Sequence, residues 1–209
     1  MDIRHEIEEV LKKYPALIHH LENNSLSGEL FLPEGDSYEI LMFLNNYPDH
    51  FPIVIETGGR IPKKLDRHIY TDSGSCCFTT AAKAQILLKT KIISLVKFID
   101  EIVIRYFQNN SFYELNNKYC FEEYEHGSLG IIQSYQDILG IQEVQSIIRL
   151  IIQRLKDKKL TIRDECYCGS KLTLKKCNGG IHCKNYRLFR MVDKSILRSD
   201  LNHFRNVLI

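Results

Sequence analysis

The chain has 209 residues, of which 44% are hydrophobic and 26% are charged, a composition typical of globular proteins that build a core without disulfides. No run of about 18 apolar residues is present, which argues against a membrane-spanning helix. The N-terminal "MDIRHEIEEVLKKY" lacks the apolar stretch of a signal peptide, so we expect a cytoplasmic protein with no membrane partner.

The net charge of +2 conceals an uneven distribution along the chain. Residues 1–150 hold 14 Lys and Arg against 21 Asp and Glu, whereas residues 151–209 hold 14 against 5. This asymmetry predicts two domains, or a body with a basic tail. The basic part could contact nucleic acid, an acidic protein surface or the chain's own acidic body.

The first half of the chain alternates between a helical pattern and strand patterns. Apolar residues on one helical face predict a helix over residues 3–13 that ends before Pro15. The stretches "SGELFLPEG", "SYEILMFL" and "IVIE" predict three strands, the last ended by a Gly-Gly pair. Strands that follow one another favour a meander sheet, so the fold class is α+β.

After the strands, residues 58–78 show no period and are predicted to form an ordered loop, followed by one long helix over 81–107. Further helices are predicted over 128–139 and 142–156, and a basic amphipathic helix over 184–208. The predicted domains are therefore a body with a helical extension (1–156), a charged linker (157–165) and a small module (166–209).

Four of the seven cysteines lie between residues 166 and 183, which in a reducing compartment favours metal ligands over disulfides. Zinc takes four nitrogen or sulfur ligands, and Cys166, Cys168 and Cys177 supply three of them. The fourth is either His182 or Cys183. A segment this short is expected to fold largely through its metal. The alternative is a set of free thiols in an irregular tail.

This segment resembles the SEC-C motif, a zinc-binding module of bacterial protein C-termini. The pattern Cys-x-Cys-Gly-Ser, a Lys-rich stretch and a further cysteine is matched by Cys166, Cys168, Gly169, Ser170, Lys175, Lys176 and Cys177. The chain departs from the motif at Asn178, where a Cys or His is usual. The resemblance implies structural zinc and a docking surface rather than catalysis.

The loop ends in "GSCC", with Cys76 and Cys77 side by side. A nucleophilic cysteine must be partly exposed, and a Gly-Ser turn before the pair allows this. Adjacent side chains on extended backbone point to opposite sides, so we expect one thiol to be buried. His68 either stabilises charge or orders the loop. Plain buried filler is the alternative for these thiols, and Cys120, within an aromatic run, is expected to lie in the core.

The order of these elements resembles the ubiquitin-conjugating enzyme fold over residues 1–107. Tyr47, Pro48 and Pro52 match the family's Tyr-Pro-x-x-x-Pro turn, and His68 lies where its loop histidine would be. The family's Gly-x-x-Cys pattern selects Cys77 as the thioester-forming residue. Asp72 matches the family's aspartate, although one residue is inserted. The chain departs from the family at Tyr70, where the family has an asparagine.

The chain also lacks the family's tryptophan, and so resembles the divergent bacterial members found in antiviral operons. That resemblance implies a thioester donor as one partner and a cyclic-oligonucleotide synthase, or another protein, as the target whose amine is acylated. Asp72 and Tyr70 are candidates to deprotonate or position that amine, or else turn and packing residues.

Two other functions remain open from the sequence. A ubiquitin-conjugating-like body that has lost catalysis could act as a zinc-dependent adaptor, because a fold does not imply an activity. A basic-tailed nucleic-acid binder ranks last, because the tail lacks an RNA-binding aromatic signature. Zinc is the only cofactor that the sequence predicts.

Overall fold

A four-stranded antiparallel sheet organises the N-terminal part of the protein. The computed structural model describes residues 2–121 and 124–205. The strands follow chain order across the sheet, as a meander requires: β1 (Leu17–His20), β2 (Ser25–Phe31), β3 (Ser37–Phe43) and β4 (Ile53–Glu56). This confirms the α+β class and the three predicted strands. Strand β1 was not predicted, because "LIHH" is too short to show an alternation.

Helix α1 (Ile3–Lys13) has the predicted bounds. The Asp2 side chain caps it by accepting the Arg4 N–H, and Ile7 and Val10 are buried. The buried Glu6 carboxylate accepts hydrogen bonds from the Tyr47 hydroxyl at 2.7 Å and from a backbone N–H of a later helix at 2.6 Å.

The single helix predicted over 81–107 is wrong. The chain instead forms α2 (Ala81–Thr90), then α3 (Leu95–Phe98), which continues through a π-helical stretch (Ile99–Val103) into α4 (Ile104–Asn116). Ser94 restarts the helix, since its hydroxyl accepts the Lys97 N–H. Glu6 accepts the Leu95 N–H, so a residue 89 positions away also fixes the new N-terminus.

Four more α-helices follow in the described structure, beside short 3-10 helices at Leu65–Arg67 and Cys177–Gly180: α5 (Gly127–Leu139), α6 (Val144–Leu155), α7 (Ile181–Phe189) and α8 (Lys194–Arg205). Gly140 ends α5 in a left-handed conformation, φ +67°, as the predicted break requires. The single tail helix predicted over 184–208 is wrong, because the chain breaks before Asp193, whose N–H donates to the Gln85 side chain at 2.6 Å. Residues 206–208 of that prediction lie outside the described residues.

The chain divides into two compact units. Unit 1 comprises Met1–Phe78 and Leu87–Glu123, and unit 2 comprises Thr79–Ile86 and Tyr124–Ile209. This division differs from the predicted boundaries, because one apolar core in unit 2 includes residues of α5 and α6 together with Cys166 and Cys177. Among the described residues, no helix has the length and apolar character needed to cross a membrane.

Candidate metal centre and candidate thiol site

Three cysteines and a histidine converge in unit 2. The sulfurs of Cys166, Cys168 and Cys177 and one ring nitrogen of His182 all lie within 4.8 Å of one another. His182 Nδ1 is 3.3 Å from both the Cys166 and the Cys177 sulfur, and the Cys168 and Cys177 sulfurs are 3.4 Å apart. Ligands of tetrahedral zinc are separated by about 3.6–3.8 Å, given its usual bond lengths. The four atoms are therefore spaced for one small cation.

Two tight turns bring these ligands together. The first turn bends at Gly169, φ +79°, and its N–H donates to the Cys166 carbonyl at 3.2 Å. Cys177 begins the second turn, in which three successive residues have positive φ, and α7 starts directly afterwards. His182 therefore lies in the first turn of α7, close in space to Cys177. Glycines at 179 and 180 make this reversal possible.

The structure distinguishes between the two candidates for the fourth ligand. His182 belongs to the group of four, and Cys183 does not. Side chains at successive helical positions point about 100° apart, so only one of the two can face the cluster. Cys166, Cys177 and His182 are buried, with exposures of 4%, 4% and 6%. The Tyr167 ring lies 5.2 Å from the His182 ring and shields it.

Burial and hydrogen bonding shift the pKa values of two thiols in this cluster in opposite directions. Burial raises the pKa of Cys166 to well above its ordinary value. Burial also acts to raise the pKa of Cys168, but hydrogen bonds with Ser170, Cys177 and Cys166 together outweigh it and the pKa is lowered. A divalent ion stabilises coordinating thiolates outright. The donor set, three sulfurs and one imidazole, fits zinc.

The second candidate site surrounds Cys77 at the end of the ordered loop in unit 1. The loop closes a small hairpin in which the Cys77 N–H donates to the His68 carbonyl at 2.7 Å. The Cys76 N–H donates to the Val54 carbonyl at 2.8 Å, which joins the loop to β4. Cys76 is buried, whereas Cys77 is partly exposed. The two thiols thus separate as alternation predicts.

Tyr70 is the predicted site residue that directly contacts the Cys77 thiol. The Cys77 sulfur donates to the Tyr70 hydroxyl oxygen at 3.3 Å. Tyr70 is 45% exposed, and its partial burial, its contact with Cys77 and the charge of Asp72 all act to raise its pKa. Tyr70 is therefore protonated at neutral pH, and its hydroxyl can donate to an oxygen or to a thiolate beside Cys77.

His68 and Asp72 contribute through backbone geometry. His68 is 8% exposed, has φ +50°, and packs its ring against Tyr119 at 5.4 Å. Its carbonyl, rather than its ring, holds the Cys77 N–H. The Asp72 carboxylate accepts the adjacent Ser73 N–H at 2.8 Å, so it shapes the exposed turn.

Sequence reasoning missed the residues that hold this loop from beneath. The Tyr106 hydroxyl donates to the His68 carbonyl at 3.0 Å and to the Arg67 carbonyl at 3.2 Å. The Tyr119 hydroxyl donates to the Asp66 carbonyl at 2.7 Å. Arg67 is itself buried, with its guanidinium 2.9 Å from Asn110 Oδ1. The only signal in the sequence was the run of aromatic residues from 106 to 121.

Comparison with known proteins gives no counterpart: no family model, no curated protein and no solved structure matches this chain. The resemblances to the ubiquitin-conjugating fold and to the SEC-C motif therefore depend on the matched residues and on the order of the elements. Any function assigned to the two sites must be argued from their chemistry.

Proposed function

We propose that unit 1 is a ubiquitin-conjugating-like transferase that carries an acyl group as a thioester on Cys77. The observation that supports this proposal is a partly exposed thiol, fixed through its backbone at the end of an ordered loop and contacted by the Tyr70 hydroxyl at 3.3 Å. The order of helix, meander sheet, ordered loop and helices agrees with that fold.

In the first step, the Cys77 thiolate attacks the carbonyl carbon of a donor thioester. A new carbon–sulfur bond forms as the donor's carbon–sulfur bond breaks, and the donor leaves as a thiolate that takes up the proton lost by Cys77. This exchange is nearly neutral in energy, so the protein has to supply mainly placement. The hydrogen bond from the Cys77 N–H to the His68 carbonyl supplies it.

In the second step, a target amine attacks the acyl carbon. The carbon–nitrogen bond forms, the bond to the Cys77 sulfur breaks, and the surplus amine proton passes to solvent or to Asp72. Tyr70, protonated at neutral pH, donates a hydrogen bond to the developing oxyanion or to the departing thiolate. Tyr70 would thus take over the role of the family's asparagine.

The resemblance to bacterial antiviral members supports the identity of the partners. The target would be a cyclic-oligonucleotide synthase or another cytoplasmic protein with an accessible lysine, and the donor a separate thioester-bearing protein. These partners are proposed from the matched motifs alone.

We also propose that Cys166, Cys168, Cys177 and His182 hold one structural zinc ion. Four protein ligands complete a tetrahedron and leave no open position for substrate, which distinguishes structural from catalytic zinc. The short distances among the four ligand atoms support the proposal. The ion would bind both turns of this segment to the apolar core of unit 2.

The transferase proposal is tested with a synthetic peptide that ends in Gly-Gly and is activated as a 2-mercaptoethanesulfonate thioester. Intact mass should show an adduct on the wild-type protein that dithiothreitol removes. Cys77→Ala should show none, and Cys77→Ser should give an ester that resists dithiothreitol. Cys120→Ala is the matched control, because Cys120 is an exposed thiol elsewhere in the unit. It should acquire the adduct as fast as the wild type does.

Tyr70→Phe separates the two steps. Loading of Cys77 should be unchanged, whereas transfer to free lysine should slow by about tenfold or more, since one donor to an oxyanion is lost. If Cys77 and Cys120 acquire the peptide at equal rates, Cys77 is an ordinary surface thiol. The zinc-dependent adaptor would then be the better assignment.

A further inference from the structure

Unit 1 contains a cavity of about 570 Å³ that none of the thiol-site residues lines. It lies between the turn that joins β2 to β3, helix α4 and the segment after α4. Its size falls within the range of small-molecule sites, roughly 300–1,000 Å³. Asn109, 1% exposed, fixes one wall by accepting the N–H groups of Cys120 and Phe121 at 2.8 and 3.0 Å.

One side of the cavity is apolar. Leu32, Phe112, Leu115 and Phe121 line it, and Leu115 is 84% exposed. This exposed leucine and the two phenylalanines offer apolar surface that a ligand could bury, which would favour binding. The Phe121 ring already stacks with the Arg105 guanidinium at 4.3 Å, so a ligand cation has to be held mainly by carboxylates.

The polar side carries an excess of negative charge. Three carboxylates line it, those of Glu34, Asp36 and Glu114, against one guanidinium, that of Arg60. Arg60 is already engaged: it donates to Asp36 at 2.5 and 2.8 Å and to Glu114 at 2.7 Å. Its guanidinium also stacks on the Tyr38 ring at 4.4 Å.

An anionic ligand would have to draw Arg60 away from two carboxylates. Asp36 already accepts four hydrogen bonds, two from Arg60 and one each from Ser37 and Ser111, which is about as many as a carboxylate can accept. A cationic ligand would instead meet the oxygens of Glu34 and Glu114, which retain acceptor positions. Ligands that combine an apolar body with a positive charge therefore match both sides of the cavity.

We propose that this cavity binds a small amine, that is, an aromatic or aliphatic body bearing one ammonium or guanidinium group. The apolar body packs against Phe112, Leu115 and Phe121, and the cation lies beside Glu34 and Glu114. This proposal is independent of any chemistry at Cys77.

Cys120 lines the cavity and is exposed, so it allows a disulfide-capture experiment on the full-length protein. Three probes share one linker: bis[2-(4-aminomethylbenzamido)ethyl] disulfide, its 4-carboxy analogue and cystamine. Each is equilibrated with the protein over a series of 2-mercaptoethanol concentrations, and peptide mapping locates the label. Cys77 is the internal control, since it does not line the cavity.

At Cys120 the disulfide of the aromatic cation should resist about tenfold more reductant than that of cystamine, because part of its ring is buried. It should also resist about tenfold more reductant than that of the aromatic anion, because the carboxylates of the cavity repel the anion. At Cys77 the three probes should behave alike. Glu34→Gln keeps the acceptor for Gln108 but removes a charge, and should lower the preference for the cation about two- to fivefold. Leu115→Ala, at an exposed position, should weaken retention of both aromatic probes.

Equal retention of the three probes at Cys120 would overturn the proposal, as would stronger retention of the anion. The proposal would also be overturned if Glu34→Gln and Leu115→Ala changed neither the ranking of the three probes nor the ratios between the 2-mercaptoethanol concentrations that they resist. Both variants retain the contacts that fix the cavity wall, so circular dichroism should show them folded.

Discussion

Replacement of Tyr106 by phenylalanine removes one oxygen from beneath the loop that carries Cys77. The hydroxyl donates to the carbonyls of His68 and Arg67, and the Tyr106 side chain is 6% exposed. The ring keeps its contacts with Phe78 and Phe107, both at 5.2 Å between centroids, so no large cavity forms. The His68 carbonyl also keeps its bond from Cys77.

The cost is therefore the hydrogen bond shared by the two carbonyls together with the contact between the hydroxyl and the buried Cys76 thiol, about 1–2 kcal/mol. If that energy holds the loop closed, amide hydrogens of residues 68–78 should exchange roughly 5- to 30-fold faster in the variant. Hydrogen-exchange mass spectrometry at neutral pH measures this directly. We expect the change to concentrate in this loop.

Tyr38→Phe is the matched control, because its buried hydroxyl contacts Ser111 at 2.9 Å and not the loop. It should leave exchange of residues 68–78 near the wild-type rate. Unchanged exchange in Tyr106→Phe, or equal acceleration in both variants, would refute the role assigned to Tyr106.

Three further predictions concern the metal, the thiols and pH. Elemental analysis of purified protein should give about one zinc per chain. The Cys177→Ser variant should lose the zinc, and the Cys183→Ser variant should keep it. Zinc retained by Cys177→Ser would contradict the proposed set of ligands. Iodoacetamide at pH 8 should label Cys77 before Cys76, because burial raises the pKa of Cys76 to about 12; first labelling at Cys76 would disprove its burial. A hydrogen bond from the Arg60 guanidinium lowers the pKa of Asp36 below its ordinary 3.8. The ionised Asp36 therefore stabilises the fold above pH 3.8, and this stabilisation is lost as pH falls through the pKa of the folded state. Asp36→Asn should therefore flatten the acid-side fall in melting temperature, and an unchanged slope would exclude this pair as a contributor.

Local patterns in the sequence predicted the elements whose signals are local. Helix α1 carries its own cap and apolar face, and its bounds were predicted correctly. The break in the helix after α2 could not be predicted in this way. It depends on Glu6, which accepts the Leu95 N–H from a distant part of the chain. Periodicity alone extends the helix across such a contact.

The same distinction applies to the sites. Three metal ligands were predictable because two tight turns within 166–183 bring them together. His182 and Cys183 could not be separated by spacing, since the choice depends on how α7 faces the turns. Tyr106 and Tyr119 were missed because they reach the loop only through the tertiary packing of α4 and the segment after it.

The sequence left the role of His68 open: its side chain could stabilise charge, or the residue could order the loop. Its backbone has φ +50°, which disfavours side chains and suits glycine. The contact to Cys77 runs through its carbonyl, which every residue possesses. If that carbonyl is what matters, His68→Gly should be more stable than His68→Ala by about 1 kcal/mol. Both variants lose the ring contact with Tyr119, so the comparison isolates the backbone.

Both variants should also load the peptide thioester on Cys77 at rates within a few-fold of each other. Denaturant unfolding gives the stabilities, and intact mass gives the loading. A folded His68→Gly that fails to load would contradict the backbone role, because only the imidazole would then explain the loss. Equal stability of the two variants would show that the left-handed backbone at this position is not strained. Loading by both, with glycine the more stable, would assign to His68 the task of presenting one carbonyl to the Cys77 N–H.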